Sequence, residues 1–214
     1  MSLGKIEKRN FISILSSDGT IRKEVPEGSE GSVRREFEKK DGTKGVKFEE
    51  IFQFVEGMIE EIGFYEGDFG KLLQVTIDGL TLSIPTSQPY AEDLMKKIPN
   101  IDMSKPVKLT PYFIDDGKGK TKKGISVTQG TDKIKNYFYD ETTKTNINGF
   151  PSPTGNEKGN KDLWKVYFIT ARVFLEKYIT DNFVKKSVEA PSWGTPEKAE
   201  KDFDDITADD IKFN

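Results

Sequence analysis

Turn-forming dipeptides recur along the first three quarters of this chain, and they constrain its fold more than any other feature. Asp-Gly or Asn-Gly pairs stand between runs rich in Val, Ile, Phe, Tyr and Thr, a pattern typical of hairpins that join neighbouring antiparallel strands. Five such pairs occur: Asp18-Gly19, Asp41-Gly42, Asp78-Gly79, Asp116-Gly117 and Asn148-Gly149. The chain is therefore expected to be mainly β.

Residues from about 50 to 140 follow the order of an OB-fold, a five-stranded antiparallel barrel. The deciding feature is a short helix, predicted over 90–98 between two prolines, which separates the third strand from the fourth. The predicted barrel strands are 53–62, with a bend at Gly57, then 71–77, 80–85, 106–114 and 123–129. Extra strands are predicted before the barrel at 11–15, 20–25, 33–39 and 45–48.

The remainder of the chain is predicted to hold a long loop over 142–161, one helix over about 162–185, and a tail. Asp162 is expected to cap that helix. Apolar residues at three- and four-residue spacing are expected to form one stripe, packed on the barrel or on a second subunit. They are Leu163, Val166, Tyr167, Val173, Phe174, Tyr178 and Ile179. The folded domain is thus predicted over 1–186, followed by a flexible linker and acidic tail over 187–214.

The last eighteen residues, 197–214, carry seven carboxylates, three lysines and few apolar side chains. Such a segment buries too little apolar surface to offset the entropy of ordering it, so we expect it to be disordered. Phe213, one residue from the end, suits a basic pocket on another protein that admits a single ring. The net charge of −3 thus conceals a nearly neutral body and an acidic tail.

The chain contains no cysteine and no histidine. Thiol nucleophiles, imidazole bases, disulfides and the usual zinc ligands are thereby excluded. Asp115, Asp116, Asp132 and Asp140 are candidates to hold Mg²⁺, as in a nuclease, although Asp115-Asp116 before a glycine is interpreted first as a turn. We therefore expect no enzymatic activity and no cofactor, with a metal-dependent nuclease as the alternative.

Lysines cluster between residues 105 and 135, where eight of them outnumber three aspartates. Half of these fall around the predicted loop between the fourth and fifth strands, one of the two loops that grip oligonucleotides in OB-folds. They are Lys118, Lys120, Lys122 and Lys123. A flexible lysine-rich loop can follow a phosphate backbone without reading its sequence. An ordinary solvated hairpin tip is the alternative interpretation.

The run after this loop alternates in a way that favours base stacking. If 133–139 form one strand, Lys133, Lys135, Tyr137 and Tyr139 share a face, where ammonium groups can bind phosphates while rings stack on bases. The alternative is a set of edge-strand lysines beside the rings of a core.

Further candidates extend this interface. The fourth predicted strand adds a cation and a ring, the loop after the first barrel strand adds rings beside glycines, and other strands add cations. These candidates are Lys108 and Tyr112, then Phe64, Tyr65 and Phe69, and finally Lys71, Arg34 and Arg35. Alternatively, the rings cover the mouth of the barrel, and the arginines belong to an ordinary charged face.

A basic, aromatic, OB-like body followed by an acidic tail with a terminal aromatic residue resembles the single-stranded-DNA-binding proteins of bacteria and tailed phages. Bacterial members end in a run of Asp and then Ile-Pro-Phe, and the tail holds two imperfect copies of that signal. The copies comprise Asp202, Phe203, Asp204, Asp205 and Ile206, and then Asp209, Asp210, Ile211, Lys212 and Phe213. The second copy departs from the signal, since Lys212 replaces Pro and Asn214 follows the Phe.

The resemblance implies sequence-independent coating of single-stranded DNA during replication, recombination or repair. It also implies that the tail recruits a polymerase, helicase or nuclease, and we expect the tail to compete with DNA for the same groove. No signal peptide and no apolar run of about 20 residues is found, so a soluble, cytoplasmic protein of a bacterium or phage-infected cell is expected, without a membrane partner. A homo-oligomer remains open, as does a β-rich interaction or virion protein that binds no nucleic acid.

Overall fold

The computed structural model describes residues 10–38, 42–67, 70–115 and 117–184, which form a mainly β structure. The strands are β1 (Asn10–Ile14), β2 (Ile21–Val25), β3 (Val33–Glu38), β4 (Lys44–Phe52), β5 (Val55–Gly57), β6 (Ile59–Gly67), β7 (Gly70–Ile77), β8 (Leu80–Pro85), β9 (Val107–Asp115), β10 (Thr121–Gln129), β11 (Asp132–Lys133), β12 (Tyr139–Asp140) and β13 (Thr145–Asn146). The helices are α1 (Pro89–Met95) and α2 (Lys161–Asn182), with a 3-10 turn at Ile98–Asn100. The predictions of a mainly β chain and of one long C-terminal helix are confirmed.

Most of the strands belong to two sheets. The larger sheet has seven strands in the order β3-β4-β2-β1-β8-β7-β6, and the smaller has four in the order β11-β10-β9-β5. Their pairings are antiparallel except that of β1 with β8, which is parallel. Only Met58 separates β5 from β6, so this short stretch of chain connects the two sheets.

The chain can pass from one sheet to the other at this point because Gly57 has no side chain. A Cβ at Gly57 would collide with the carboxylate of Asp78, which lies against the backbone. That carboxylate accepts a hydrogen bond from the backbone N–H of Met58 at 3.0 Å. The first barrel strand therefore breaks beside Gly57, and it then continues to Gly67 instead of ending at residue 62 as expected.

The order of strands in the predicted barrel is present, but closure of the barrel is not shown. No pairing within the described residues joins β8 to β10. The edge of β8 is occupied by β1, while the edge of β10 is paired with β11 at its end and contacted by α1 at Ile125. Asp93 accepts a hydrogen bond from the backbone N–H of Ile125 at 2.7 Å, and Lys97 donates to the Ile125 carbonyl. These side chains satisfy backbone groups that another strand would otherwise pair.

One hydrophobic cluster joins the inner faces of both sheets with α1 and α2. Leu73, Val75 and Ile77 alternate along β7 and all point into it, as their spacing predicted. Tyr90 and Leu94 bring α1 into the same cluster. The core therefore lies between the sheets, and their outer faces are left for other roles.

The side chain of Asn160, and not that of Asp162, caps α2. It accepts hydrogen bonds from the backbone N–H groups of Asp162 and Leu163 at 3.0 and 3.2 Å. An Asn oxygen at this position satisfies donors that the first helical turn leaves unpaired. The long loop predicted before α2 is confirmed apart from the two-residue strand β13.

The single apolar stripe expected on α2 is confirmed only in part, since Phe174, Tyr178 and Ile179 contact the core. The buried positions are Ala171, Leu175 and Ile179, whereas Val166 and Val173 are exposed. No described helix is long and apolar enough to cross a membrane. The linker and acidic tail, including the candidate residues from Asp202 to Phe213, lie outside the described residues.

Candidate nucleic-acid interface

The outer face of the seven-stranded sheet carries a concave region of about 600 Å³, here called the sheet groove. Two aromatic rings, three cations, two carboxylates and several small polar groups line it. Its residues include Phe11, Ser13, Arg22, Glu24, Arg35, Lys47, Glu49, Tyr65, Leu72, Gln74 and Ser83. The groove spans strands from the N-terminal segment and from the predicted barrel.

Strand register explains why distant residues meet in this groove. Ser13 pairs with Arg22 on one side and with Ser83 on the other, and Ser83 pairs with Gln74. Paired residues stand side by side on the same face of a sheet. These four side chains therefore form one row across β2, β1, β8 and β7.

Two exposed rings lie in the sheet groove. Phe11 is 50% exposed and Tyr65 is 55% exposed. Tyr65, which was expected in a loop, stands on β6, where its neighbour Phe64 faces the other way. Phe11 is not among the predicted contact residues, because no face was assigned to the residues of the first predicted strand. The alternation of Phe11 and Ser13 with the buried Ile12 was the signal that could have identified this ring.

Each cation in the sheet groove has a carboxylate partner. The pairs are Arg35 with Glu49, Lys47 with Glu24 and Arg22 with Asp18. The groove is thus close to neutral as it stands, and a phosphate chain would have to exchange with some of these carboxylates. Exposed ion pairs contribute only about 0–1 kcal/mol, so such exchange costs little where the pair faces water.

The pair of Arg35 and Glu49 is the most firmly held. Two hydrogen bonds of 2.7 and 2.6 Å run from the guanidinium to the Glu49 carboxylate, which is nearly buried. These bonds hold the pKa of Glu49 below its ordinary value and raise the pKa of Arg35. Arg34, also predicted as a contact, lies on the opposite face of β3 and pairs with Glu36 at 2.7 Å. Only Arg35 of the two faces the groove.

The predicted lysine loop forms the tip of the β9–β10 hairpin, here called the lysine hairpin. Its lysines are Lys118, Lys120, Lys122 and Lys123. Lys123 Nζ donates a hydrogen bond of 2.7 Å to the carbonyl of Ser16 and lies 5.0 Å from the ring centre of Phe113. This contact ties the hairpin to the turn between β1 and β2.

The lysine hairpin stands at one end of the seven-stranded sheet, whose outer face carries the sheet groove. Because β1 runs parallel to β8, Ser16 lies at the end of the sheet where Pro85 pairs with Leu72, close to the turn that joins β6 to β7. The contact of Lys123 with Ser16 therefore brings the hairpin to that end. Two residues of interest in these turns, Asp116 and Phe69, lie outside the described residues.

Lys108 and Lys133 share the outer face of the four-stranded sheet. Thr128 pairs with Lys108 on one side and with Lys133 on the other, which places both lysines in one row. Lys108 Nζ lies 3.6 Å from the ring centre of Phe54 and 3.8 Å from the carboxylate of Glu56. This face is a second cationic surface, separate from the sheet groove.

Tyr112 is on the same face as Lys108 but packs against α1. A Cβ at Gly124 would collide with both the Tyr112 hydroxyl and the Asp93 carboxylate, so the ring crosses the neighbouring strand where only glycine leaves room. Burial, and then the charge of Asp93, raises the pKa of Tyr112. The ring is therefore already in contact with the body of the protein.

The strand predicted over 133–139 is wrong, and its four candidates do not share one face. Only two-residue strands, β11 and β12, occur there, and Tyr137 lies between them. The backbone N–H of Tyr137 donates to the Lys96 carbonyl at 2.8 Å. Its ring packs edge-on against Phe138, with centres 5.1 Å apart, and against Tyr178 of α2. Packing against these rings has drawn Tyr137 out of the expected alternation.

Lys135 and Tyr139 border a second hollow of about 480 Å³ that Tyr137 also lines. Lys135 Nζ is 2.8 Å from the Glu141 carboxylate, which raises the pKa of the lysine. Asp140 lines the same hollow. Three predicted contact residues are thus brought together, but beside acidic groups that weaken the attraction for phosphate.

Lys71 and Phe64 face α2 instead of the sheet groove. Lys71 Nζ lies 2.9 Å from the Glu176 carboxylate and 4.7 Å from the ring centre of Phe64. Their strand neighbours Leu72 and Tyr65 point into the groove. The contact fixes α2 on the seven-stranded sheet and removes this lysine from the candidate interface.

The aspartates considered as metal ligands occupy turns. Asp115 accepts a hydrogen bond from the N–H of Gly117 at 2.9 Å, and Asp140 accepts one from Thr142 at 2.7 Å, which lowers the pKa of Asp140. Asp132 begins β11. Within the described part of the chain, no group of three or more acidic side chains is arranged to hold a metal ion.

Comparison of the chain with models of protein families, with curated proteins and with solved structures found no match. Function is therefore argued from the site itself.

Proposed function

We propose that this protein binds single-stranded DNA without sequence preference, through the sheet groove and the lysine hairpin. The observation that carries the proposal is the meeting of two exposed rings and three cations on one sheet face, with the hairpin at its end. Aromatic rings stack on any base, while cations follow the phosphates. A surface with both groups fits a polynucleotide better than it fits a compact ligand.

An OB-like arrangement of the strands supports this proposal. In OB-folds, oligonucleotides bind the face of the second and third strands and the loops that join strands one to two and four to five. The corresponding strands here are β7 and β8, whose outer face supplies Leu72, Gln74 and Ser83 to the groove. The corresponding loops are the β6–β7 turn and the lysine hairpin. Pairing of β6 with β7 and of β5 with β9 favours the same assignment.

The neutral state of the groove sets how DNA would enter it. Lys47 and Glu24 form a partly exposed pair, so a phosphate can replace the Glu24 carboxylate at little cost. Arg35 is held by two hydrogen bonds and releases Glu49 less readily. DNA is therefore expected to engage the exposed lysines first and the Arg35 position last.

The acidic tail belongs to the same proposal. Its seven carboxylates and three lysines make 197–214 an internal competitor for cationic surfaces, because a tether holds it at high effective concentration. DNA would displace the tail, and the released Phe213 would then bind a replication or recombination protein. The tail lies outside the described residues, so this step rests on its composition.

Titration of labelled oligo-dT at several salt concentrations tests the proposal. Tyr65→Ala is expected to weaken binding about 5- to 150-fold, since stacking on one base contributes about 1–3 kcal/mol. Phe168→Ala, which removes a similarly exposed ring from α2, is the control and should leave affinity unchanged. No salt-dependent binding by the natural protein, or equal losses in the two variants, would refute the proposal. Loss of DNA that requires Mg²⁺ would instead favour the nuclease.

A further inference from the structure

α2 carries a second apolar stripe on the side that faces away from its buried positions. Val166, Ile169 and Val173 are 60%, 56% and 58% exposed, although each has a branched apolar side chain. Their three- and four-residue spacing places them in one line along the helix. Ala171, Leu175 and Ile179, which anchor α2 to the core, lie on the opposite side.

Among the residues that the structure describes, none covers this exposed stripe. Isolated apolar residues are common on protein surfaces, but a contiguous apolar line on one helix marks an interaction surface. Val166 and Val173 belong to the stripe expected to pack on the barrel or on a second subunit, and they stay exposed while Phe174, Tyr178 and Ile179 of the same stripe contact the core. The helix is therefore apolar on two sides, as a helix is when it packs between its own domain and a neighbour.

We propose that a second copy of this chain docks on the exposed stripe, with the two α2 helices antiparallel about a two-fold axis between residues 169 and 170. Each copy would then place Val166 against Val173 of the other, with Ile169 near the axis. The charges at the ends of the stripe are complementary in this arrangement. Asp162 lies one turn before Val166, and Lys177 lies one turn after Val173. Asp162 of each copy would face Lys177 of the other copy, so the two-fold axis produces this contact twice.

Charge also selects the orientation. A parallel pair of helices would place Asp162 beside its own copy and Lys177 beside its own copy, which brings like charges together. In the single chain, Asp162 pairs with Lys165 at 2.9 Å and Lys177 with Asp181 at 2.7 Å, and all four side chains are exposed. Such pairs contribute about 0–1 kcal/mol, so they can exchange partners on association. The inference does not depend on the proposed DNA binding.

Sedimentation equilibrium of the full chain at micromolar concentration is the test, and the natural protein is expected to be a dimer. Ile169→Lys brings two like charges to the axis and should raise the dimer dissociation constant at least about 100-fold. Phe168→Lys makes the same change at a similarly exposed apolar position off the stripe, and it should leave the dimer intact. Circular dichroism would show whether each variant is folded.

A charge exchange tests the orientation. Lys177→Asp is expected to weaken the dimer because Asp162 would then face an aspartate, and adding Asp162→Lys to it should restore association. A natural protein that stays monomeric overturns the proposal. So does a dimer that Ile169→Lys and Phe168→Lys weaken equally, or one that the double exchange fails to restore.

Discussion

Replacing Glu49 by Gln should lower stability and raise DNA affinity at the same time. The nearly buried Glu49 carboxylate accepts two hydrogen bonds from Arg35, at 2.7 and 2.6 Å. Glutamine has the same size but no charge, so Arg35 would remain in the sheet groove without a counter-ion. One substitution thus separates the structural role of this pair from the proposed role of its cation.

The loss of stability follows from the hydrogen bonds. Each bond to a charged group contributes about 1.5–3 kcal/mol, and glutamine still accepts one of the two. The Arg35 side chain is 32% exposed, so water recovers part of the remainder. We expect a loss of about 1–2 kcal/mol, or about 2–8 °C in melting temperature for a chain of this size.

The same pair predicts a pH dependence. Hydrogen bonds from Arg35 hold the pKa of Glu49 below its ordinary value of 4.5. The stability contributed by the ionised carboxylate is therefore complete above that ordinary value and is lost as pH falls through the lower pKa of the folded protein. Since the substituted glutamine would not titrate, the difference in melting temperature between the natural protein and Glu49→Gln should shrink at acidic pH.

The gain in affinity is measured with oligo-dT. Each phosphate neutralised on a single strand steepens the slope of log affinity against log salt by about 0.7, so Glu49→Gln should steepen it by up to that amount. Glu36→Gln is the control, because it makes the same change of charge on the opposite face of β3, where Glu36 pairs with Arg34 in solvent. If both variants change the slope equally, or Glu49→Gln binds no tighter than the natural protein, the phosphate path does not pass Arg35.

Deletion of 197–214 is expected to tighten oligo-dT binding at low salt by removing a tethered competitor, and unchanged affinity would exclude competition. Asp93→Ala should lower the unfolding free energy, measured in urea, by about 3 kcal/mol. The backbone N–H of Ile125 would lose its charged acceptor, and no neighbouring strand in the described part of the chain supplies another acceptor at this position. Gly124→Ala should cost about 2 kcal/mol through overpacking, whereas Gly63→Ala, with open space around its Cβ position, should be close to neutral; equal losses would contradict this account.

Local signals predicted the elements of the body. Alternation and turn residues placed β7, β8, β9, β10 and α1 within a few residues of their observed bounds, because both signals depend on neighbours in sequence. Lysines at the β9–β10 tip were likewise found from composition alone. Turn chemistry and charge clusters are properties of short segments, and short segments can be interpreted without a fold.

Contacts between distant segments could not be predicted in this way. The parallel pairing of β1 with β8 joins Ser13 to Ser83, seventy residues apart, and nothing near either residue specifies the other. The sheet groove depends on that pairing, so the groove could not be predicted from the sequence. In 133–139 the period of two was misleading, because the Asn136 side chain accepts a hydrogen bond from the Phe138 N–H at 2.8 Å and turns the chain. Packing of Tyr137 against other rings outweighed the strand pattern.

The open edge of the predicted barrel and the sheet groove have one cause. Pairing of β8 with β10 would leave β1 without that edge, and the outer face would end at Ser83. With β1 on that edge, β2, β4 and β3 follow, and they add Arg22, Lys47 and Arg35 to the same face. The replacement of β10 by β1 at the edge of β8 is tolerated because Asp93 of α1 and Lys97, just after α1, satisfy the backbone of β10. The N-terminal strands therefore enlarge the surface that we propose for DNA, at the position where a closed barrel would have excluded them.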